Sequence, residues 1–444
     1  FSEHRRHTRR ILPILLSALL LAALLLIGIA PAFAETADPY AITEPITIEW
    51  WHSHEEQYSG LLDGMLEQFA KENPLITVTP IYQGSYSDIH TKLMSAVTAE
   101  NVPALCVANT SYPAMYGAQG ICTDLTPYMQ ASGYDVMDFG EGLVASTSYQ
   151  GQQICLPYLI STQVMYYNKT AADAEGIEMP KTFDDMEEFL KKATIFNEDG
   201  TTKRYGTVFG GWDYWYYEML YKNNGVQVIN EEENKSDLNS ELAAQITAKI
   251  AEWCDKGYAY YAYGTGASSN MRQLFADEGT FSVFHTSSLY DTYVNTLVKG
   301  KFEVGMAWCP GGNDGETFKS EVGGCVLLIP EKASQAQKNA AWKLLQFMTS
   351  PEINLYWADQ TGYFPTRQSV QGTEDYQEYL TRKPAMESVV SMASWINPRN
   401  QHPAYDQIAN LWRHALAKVF NEKAPVQDTL DELVTEVNEI LEDQ

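Results

Sequence analysis

The sequence predicts an α/β protein, on three observations. Between residues 46 and 108, strand-type apolar runs alternate with stretches of helical periodicity, the signature of a parallel sheet covered by helices. The chain is 45% hydrophobic and 20% charged, with 29 Gly and 19 Pro, which excludes a disordered, collagen-like or coiled-coil protein. Its 444 residues suffice for two to three full hydrophobic cores.

The elements follow in order. Ile46 to Trp51 reads as a strand, and Leu61, Leu62, Met65, Leu66 and Phe69 recur at helical spacing until Asn73-Pro74 stops the helix. A second strand, Ile76 to Ile81, passes through Gly84-Ser85 into a helix from Tyr86 to Ala99. Pro103 then opens a third strand, Ala104 to Ala108. Val164 to Tyr167 is strand-like, and Thr182 with Asp185 can form a capping box. Helices are expected over Ser240 to Asp255 and Met271 to Asp277, strands over Thr280 to Phe284, Glu303 to Ala307 and Val326 to Ile329, and mostly helix from Ala333 to Glu442. There is no internal repeat.

Residues 1–34 differ from the rest. Arg5, Arg6, Arg9 and Arg10 precede the apolar run Ile11 to Ile29, and Pro31-Ala32-Phe33-Ala34 follows. This is the order of a secretory signal, with cleavage expected after Ala34; an uncleaved membrane anchor is the alternative. The chain is therefore expected outside the cytoplasm, in the periplasm or on the outer face of the membrane. Its formal charge of −27 disfavours nucleic acid and anionic membrane surfaces, which demand basic patches. Six cysteines, Cys106, Cys122, Cys155, Cys254, Cys309 and Cys325, allow 15 pairings, among which sequence does not choose.

No Gly-x-Ser-x-Gly elbow, His-Glu-x-x-His pair or Gly-Lys-Ser phosphate loop is present, so no enzyme class is indicated and no cofactor is expected. His52 and His54 alternate along a strand end and could share a metal, but no third residue has ligand-like spacing. The aromatic load is more telling. Trp212, Tyr214, Trp215, Tyr216 and Tyr217 cluster, and Tyr258, Tyr260, Tyr261 and Tyr263 form a second group; half-exposed rings of this kind suit stacking on a sugar or glycerol ligand, or else ordinary core packing.

Eight segments, in order, carry a resemblance. They are Ile48-Glu49-Trp50-Trp51-His52-Ser53, Phe69 to Pro74, Tyr82-Gln83-Gly84-Ser85-Tyr86, Pro157 to Lys169 with Pro180 to Asp184, Gly279 to Phe284, and Ser350-Pro351-Glu352 with Thr361-Gly362-Tyr363-Phe364-Pro365. Together they resemble the extracellular solute-binding proteins of ABC importers, and the Trp-His-Ser opening and Tyr-x-Gly-x-Tyr turn are most similar to the sn-glycerol-3-phosphate-binding group. The resemblance implies a two-lobe α/β fold of the type II periplasmic-binding class with a hinge. It implies no catalysis, a small-molecule ligand (glycerol 3-phosphate, a glycerophosphodiester or a sugar), a membrane permease as partner and a monomer. Lobe one is expected at 35–158 with 286–329, and lobe two at 159–285 with 330–444.

The group's ligand positions fall on Tyr86, Ser161, Trp212, Gly324, Tyr363 and Arg399. Asn109 stands where the group has glutamate, and His285 or Thr286 where it has serine. The matched chemistry is coherent: Arg399 can give a phosphate a fork of donors, the tyrosines can donate hydroxyls, and Trp212 can form an apolar wall. The competing role for Arg399 is a structural ion pair. An exported glycan-acting enzyme, the other class, would need a carboxylate pair in an aromatic cleft.

Overall fold

The computed structural model describes residues 38–443 apart from 55, 392–394 and 401. The expected signal segment lies outside the described residues. Residues 38–41 form a turn in which the Ala41 N–H donates to the Asp38 carbonyl, and from Ile42 onward the chain is one compact unit.

Two sheets organise that unit. The first has five strands in the order β2-β1-β3-β14-β6. β1 (Ile46–His52) runs parallel to β2 (Ile76–Tyr82) and β3 (Leu105–Asn109). β14 (Gly323–Leu328) enters antiparallel between β3 and β6 (Leu156–Ser161). Helices Ser59–Glu72 and Tyr86–Thr98 make the crossovers. The second begins with a full capping box: the Ser85 hydroxyl accepts from the Asp88 N–H and the Asp88 carboxylate from the Ser85 N–H. A hairpin of β4 (Ser148–Tyr149) and β5 (Gln152–Gln153) precedes β6.

The second sheet runs β10-β9-β11-β7-β12, with β8 (Ile195–Phe196) alongside β9. Its members are β7 (Gln163–Asn168), β9 (Thr202–Gly210), β10 (Ala259–Ala262), β11 (Thr280–Thr286) and β12 (Val304–Trp308). β7 is antiparallel to β11 and β12, while β9 is parallel to β10 and β11. A short bridge of β13 (Ser320–Glu321) with β15 (Ile396–Asn397) lies apart.

β9 occupies the inside of this sheet, yet its opening Thr-Lys-Arg lacks the apolar alternation by which strands are read from sequence. Its charge is buried with a partner: Arg204 donates through both terminal nitrogens to Glu175, at 2.7 and 2.6 Å. The Thr182–Asp185 reciprocal bonds expected from sequence are present, leading into the helix Asp185–Ala193.

A single residue, Thr162, separates β6 from β7 and hence one sheet from the other. Its carbonyl accepts from the Ser287 N–H (2.9 Å), its N–H donates to the Ser287 hydroxyl (3.1 Å), and its hydroxyl meets that of Ser320. Sheet membership differs from the expected division in two stretches. β12 belongs to the second sheet although it falls within 286–329. Helices Gln335–Met348 and Pro351–Gln360 cover the first sheet, with Phe347 against Phe69, Trp342 against Tyr128 and Trp357 against His54. Local sequence carries no signal for which sheet a strand joins; only complementary apolar faces decide it.

Candidate functional site

Of the eight positions singled out from sequence, Ser161 and Gly324 lie on the neighbouring strands β6 and β14, Asn109 ends β3 opposite Cys325, and His285 stands near the end of β11 in the second sheet. Ser161, the last residue of β6, is buried and paired with Gly323 of β14. Gly324 follows at φ +91°, where a side chain would strike the carbonyl oxygen of Leu159. Glycine is thus demanded there by the backbone itself, whatever else the position does. A Cβ on Gly323 would come within 2.5 Å of the Trp215 ring and 2.9 Å of the Ser161 hydroxyl, which places those two side chains over one backbone step.

Tyr86, the first residue of its helix, projects its hydroxyl into a knot of small polar groups. It lies beside Ser53 and the Cys325 thiol, and the Tyr363 hydroxyl lies beside it and Ser288. Burial, first of all, pushes both phenols above their ordinary range, so they act as neutral donors. Ser53 stands in the Trp-His-Ser opening; Cys325 and Ser288 carry no signal of their own and were not expected.

On the side of the second sheet, Trp212 packs edge-on to Tyr216 (5.4 Å) and to His285 (5.9 Å). His285 is fully buried, bonded through Nδ1 to the Tyr293 hydroxyl at 3.0 Å. Burial and the Arg272 charge hold it neutral down to a pH of about 3. Asn109 spends its side-chain oxygen locally, accepting from the Ser111 N–H (2.9 Å) and hydroxyl (3.0 Å). That turn opens the helix Pro113–Ala118, so the difference from glutamate here alters a turn.

Arg399 is 7% exposed, its guanidinium over the Trp215 ring at 5.3 Å and its Nε donating to the Val322 carbonyl at 3.2 Å. Burial opposes its charge, but Tyr214, Asp213, Tyr405 and Glu321 outweigh that and raise its pKa. Arg399 thus stands as a buried cation over Trp215, in the field of Asp213 and Glu321.

Behind it lies a network that sequence reasoning missed. Glu218 and Lys222 occupy one face of the helix Trp215–Lys222, and Glu321 faces them from β13. The Tyr405 hydroxyl is 2.6 and 2.8 Å from the two Glu218 oxygens, and Lys222 pairs with Glu218 at 3.5 Å and with Glu321. Burial, then the nearby Glu321, lifts Glu218 to about 8, against the pull of Lys222 and Tyr405. Glu218 and Lys222 read as an ordinary surface i,i+4 pair in sequence; burial changes their meaning.

Other candidates do not join the site. His52 and His54 stack at 5.3 Å within a buried aromatic group of Trp50, Tyr158 and Trp357. Tyr261 is buried against Phe420, while Tyr260 and Tyr263 face solvent, so the second aromatic group is divided between core and surface. Neither of two sizeable cavities is lined by any of the eight positions. One of about 610 Å³ is bounded by Met115, Tyr149, His402 and Asp406, and one of about 560 Å³ by Phe139, Phe364 and Ile396.

A family description for bacterial extracellular solute-binding proteins matches residues 64–386. The chain belongs to that family. As a solute-binding protein it is 22% identical over 441 residues to the sn-glycerol-3-phosphate-binding periplasmic protein UgpB of Salmonella typhimurium, covering 94% of this chain and 96% of the relative. UgpB of Escherichia coli K12 is 23% identical over 358 residues, 77% and 79% of the two chains.

Three solved structures share the fold. UgpB of Mycobacterium tuberculosis, in complex with glycerophosphocholine, superposes with TM-score 0.78 at 21% identity, covering 90% of this chain and 99% of that one. The GacH receptor of Streptomyces glaucescens, solved unliganded and with acarbose, gives 0.76 at 18%, covering 90% and 100%. The sugar-binding protein MalE of Xanthomonas citri gives 0.77 at 18%, covering 90% and 98%. The fold is thus the two-lobe type II binding-protein fold, and the family's work is to bind a small molecule for an ABC importer rather than to transform it. Among the described residues no helix is long and apolar enough to cross a membrane.

Proposed function

We propose that this solute-binding protein captures glycerol 3-phosphate or a glycerophosphodiester between its lobes and delivers it, as an exported monomer, to a membrane permease. Lobe one holds the first sheet with helices 335–360, lobe two holds the second sheet with the C-terminal helices, and Thr162 is one hinge strand. The ligand is held by Tyr86, Ser161, Trp212, Gly324, Tyr363 and Arg399, with Asn109 and His285 at the margins.

The observation that carries the reading is the convergence, from both sheets, of hydroxyl donors, an aromatic wall and one arginine. The buried Trp215 Nε1–H beneath that arginine has no hydrogen-bond partner among the described residues and offers a ligand oxygen a donor. The UgpB relatives agree with the phosphate class. The runner-up, a neutral sugar or oligosaccharide, is favoured by the aromatic wall of Trp212, Trp215 and Tyr216 and by the sugar-binding neighbours.

Calorimetry with glycerol 3-phosphate, glycerophosphocholine and maltose separates these. A saturating ligand at 100 times its Kd adds about 2.7 kcal/mol of stability, visible in thermal melting. Arg399→Ala should weaken a phosphate ligand by roughly thirty-fold or more, since losing one partner of a desolvated charged pair costs on the order of 2–5 kcal/mol. Arg399→Lys should recover part of it, because an ammonium keeps the charge but loses the fork. Binding of maltose alone, indifferent to Arg399→Lys, would replace the phosphate reading with the sugar one.

A further inference from the structure

Of the six thiols, three converge at one end of the first sheet. Cys106 in β3 is registered against Leu328 of β14. Cys155 immediately precedes Leu156 of β6, which is registered against Leu327 on the other side of β14. Cys122 bridges Pro330, just beyond the end of the same strand. Two further bonds hold the Cys122 segment there: the Thr123 N–H donates to the Ile329 carbonyl and the Leu125 N–H to the Gln153 carbonyl, both at 2.8 Å.

Backbone register thus brings residues 122 and 155 to the same corner, and the two thiols feel one another there. Cys106 lies near both, but its thiol is directed to the Val107 carbonyl at 3.3 Å. Cys122 is half-buried, whereas Cys106 and Cys155 are fully buried.

We infer that Cys122 and Cys155 are a redox-active pair that closes to a disulfide in the oxidising compartment where an extracellular protein works, with Cys122 as the entry sulfur. The oxidant is a disulfide, either of a partner protein or of a small thiol compound. The Cys122 thiolate attacks one sulfur of that disulfide, forming a mixed disulfide and releasing the first thiol. Cys155, giving up its proton, then attacks the Cys122 sulfur and expels the second thiol. Two thiols of the protein have lost two protons and two electrons, and the oxidant has become two thiols. Burial pushes the Cys155 and Cys106 thiols up, which leaves the half-buried Cys122, the more accessible of the three, to begin the exchange.

The bridge closes a loop that contains helices Thr126–Ser132 and Glu141–Ser146 and the β4–β5 hairpin, and constrains it in the unfolded chain.

Treating the reduced full chain with oxidised glutathione, alkylating in denaturant and mapping peptides without reduction tests this. The expected result is a single Cys122–Cys155 bridge, a mass lower by two hydrogens, and alkylated Cys106, Cys254, Cys309 and Cys325. The oxidised form should melt at a higher temperature than the reduced one. Cys122→Ser, at the half-exposed position, should fold and show no response to oxidant in either mass or melting. A bridge that includes Cys106, six alkylated thiols after oxidation, or a Cys122→Ser chain that still loses two thiols would each overturn the pairing.

Discussion

At Gly324, which the resemblance marks as a ligand position, the positive φ and the closeness to Leu159 and Ile160 already require glycine. Gly324→Ala is expected to cost about 2 kcal/mol or more, since the strained backbone and the blocked contact act together. Urea denaturation measures this directly. An unchanged midpoint would mean that β6 and β14 can part without loss, and the site between them would then be softer than the packing suggests. Arg399 teaches the complementary lesson: its buried acidic neighbours make its charge structural, so Arg399→Ala should lower the ligand-free melting temperature as well as the affinity, and Arg399→Lys should lower the former less.

At the scale of the element, the helix Trp215–Lys222 has two faces with different work. Trp215 and Tyr216 meet the site positions, while Glu218 and Lys222 meet Glu321 and Tyr405 behind them. The folded state raises Glu218 from the ordinary carboxylate range to about 8. A raised carboxyl binds its proton more tightly when folded, so its contribution is complete below the ordinary pKa and is lost as pH rises toward 8. Glu218 should therefore give wild-type thermal melting a falling component between the ordinary carboxylate range and about 8, and none above it. Glu218→Gln, neutral at every pH, should remove that component while keeping the Tyr405 contact. A variant whose melting follows the wild-type pH dependence through this window would assign the slope to other groups.

For the whole molecule the same linkage bounds stability from the acid side. Burial lowers His52 to about 4, and lowers His54 and His285 to about 3, so each resists protonation in the folded state and gains it on unfolding. Their contribution is present above the ordinary histidine pKa and declines as pH falls below it, so melting should peak near neutrality. The two-lobe fold with one residue between the sheets also predicts compaction on binding. Small-angle scattering with saturating glycerol 3-phosphate should show a smaller radius of gyration than the ligand-free chain. An unchanged radius together with measured binding by calorimetry would argue for a site that forms without lobe movement.

How much of this was legible in the sequence follows from range. Local sequence determined the β1 to β3 unit, the Thr182–Asp185 cap and the long C-terminal helices, because the pattern that makes those elements lies within each of them. The aromatic run from Trp212 and the separated matches from Tyr86 to Arg399 were also visible as residue types. Tertiary structure alone decided the rest: that β9, with Lys203 and Arg204 at its start, is an inner strand; that β12 and helices 335–360 join the sheets they do; that Glu218 and Lys222 turn inward; and that Cys122 finds Cys155. Each depends on contacts between segments distant in the chain, where burial and the loss of water change the energy of a charge or a thiol, and no short stretch of sequence records that environment.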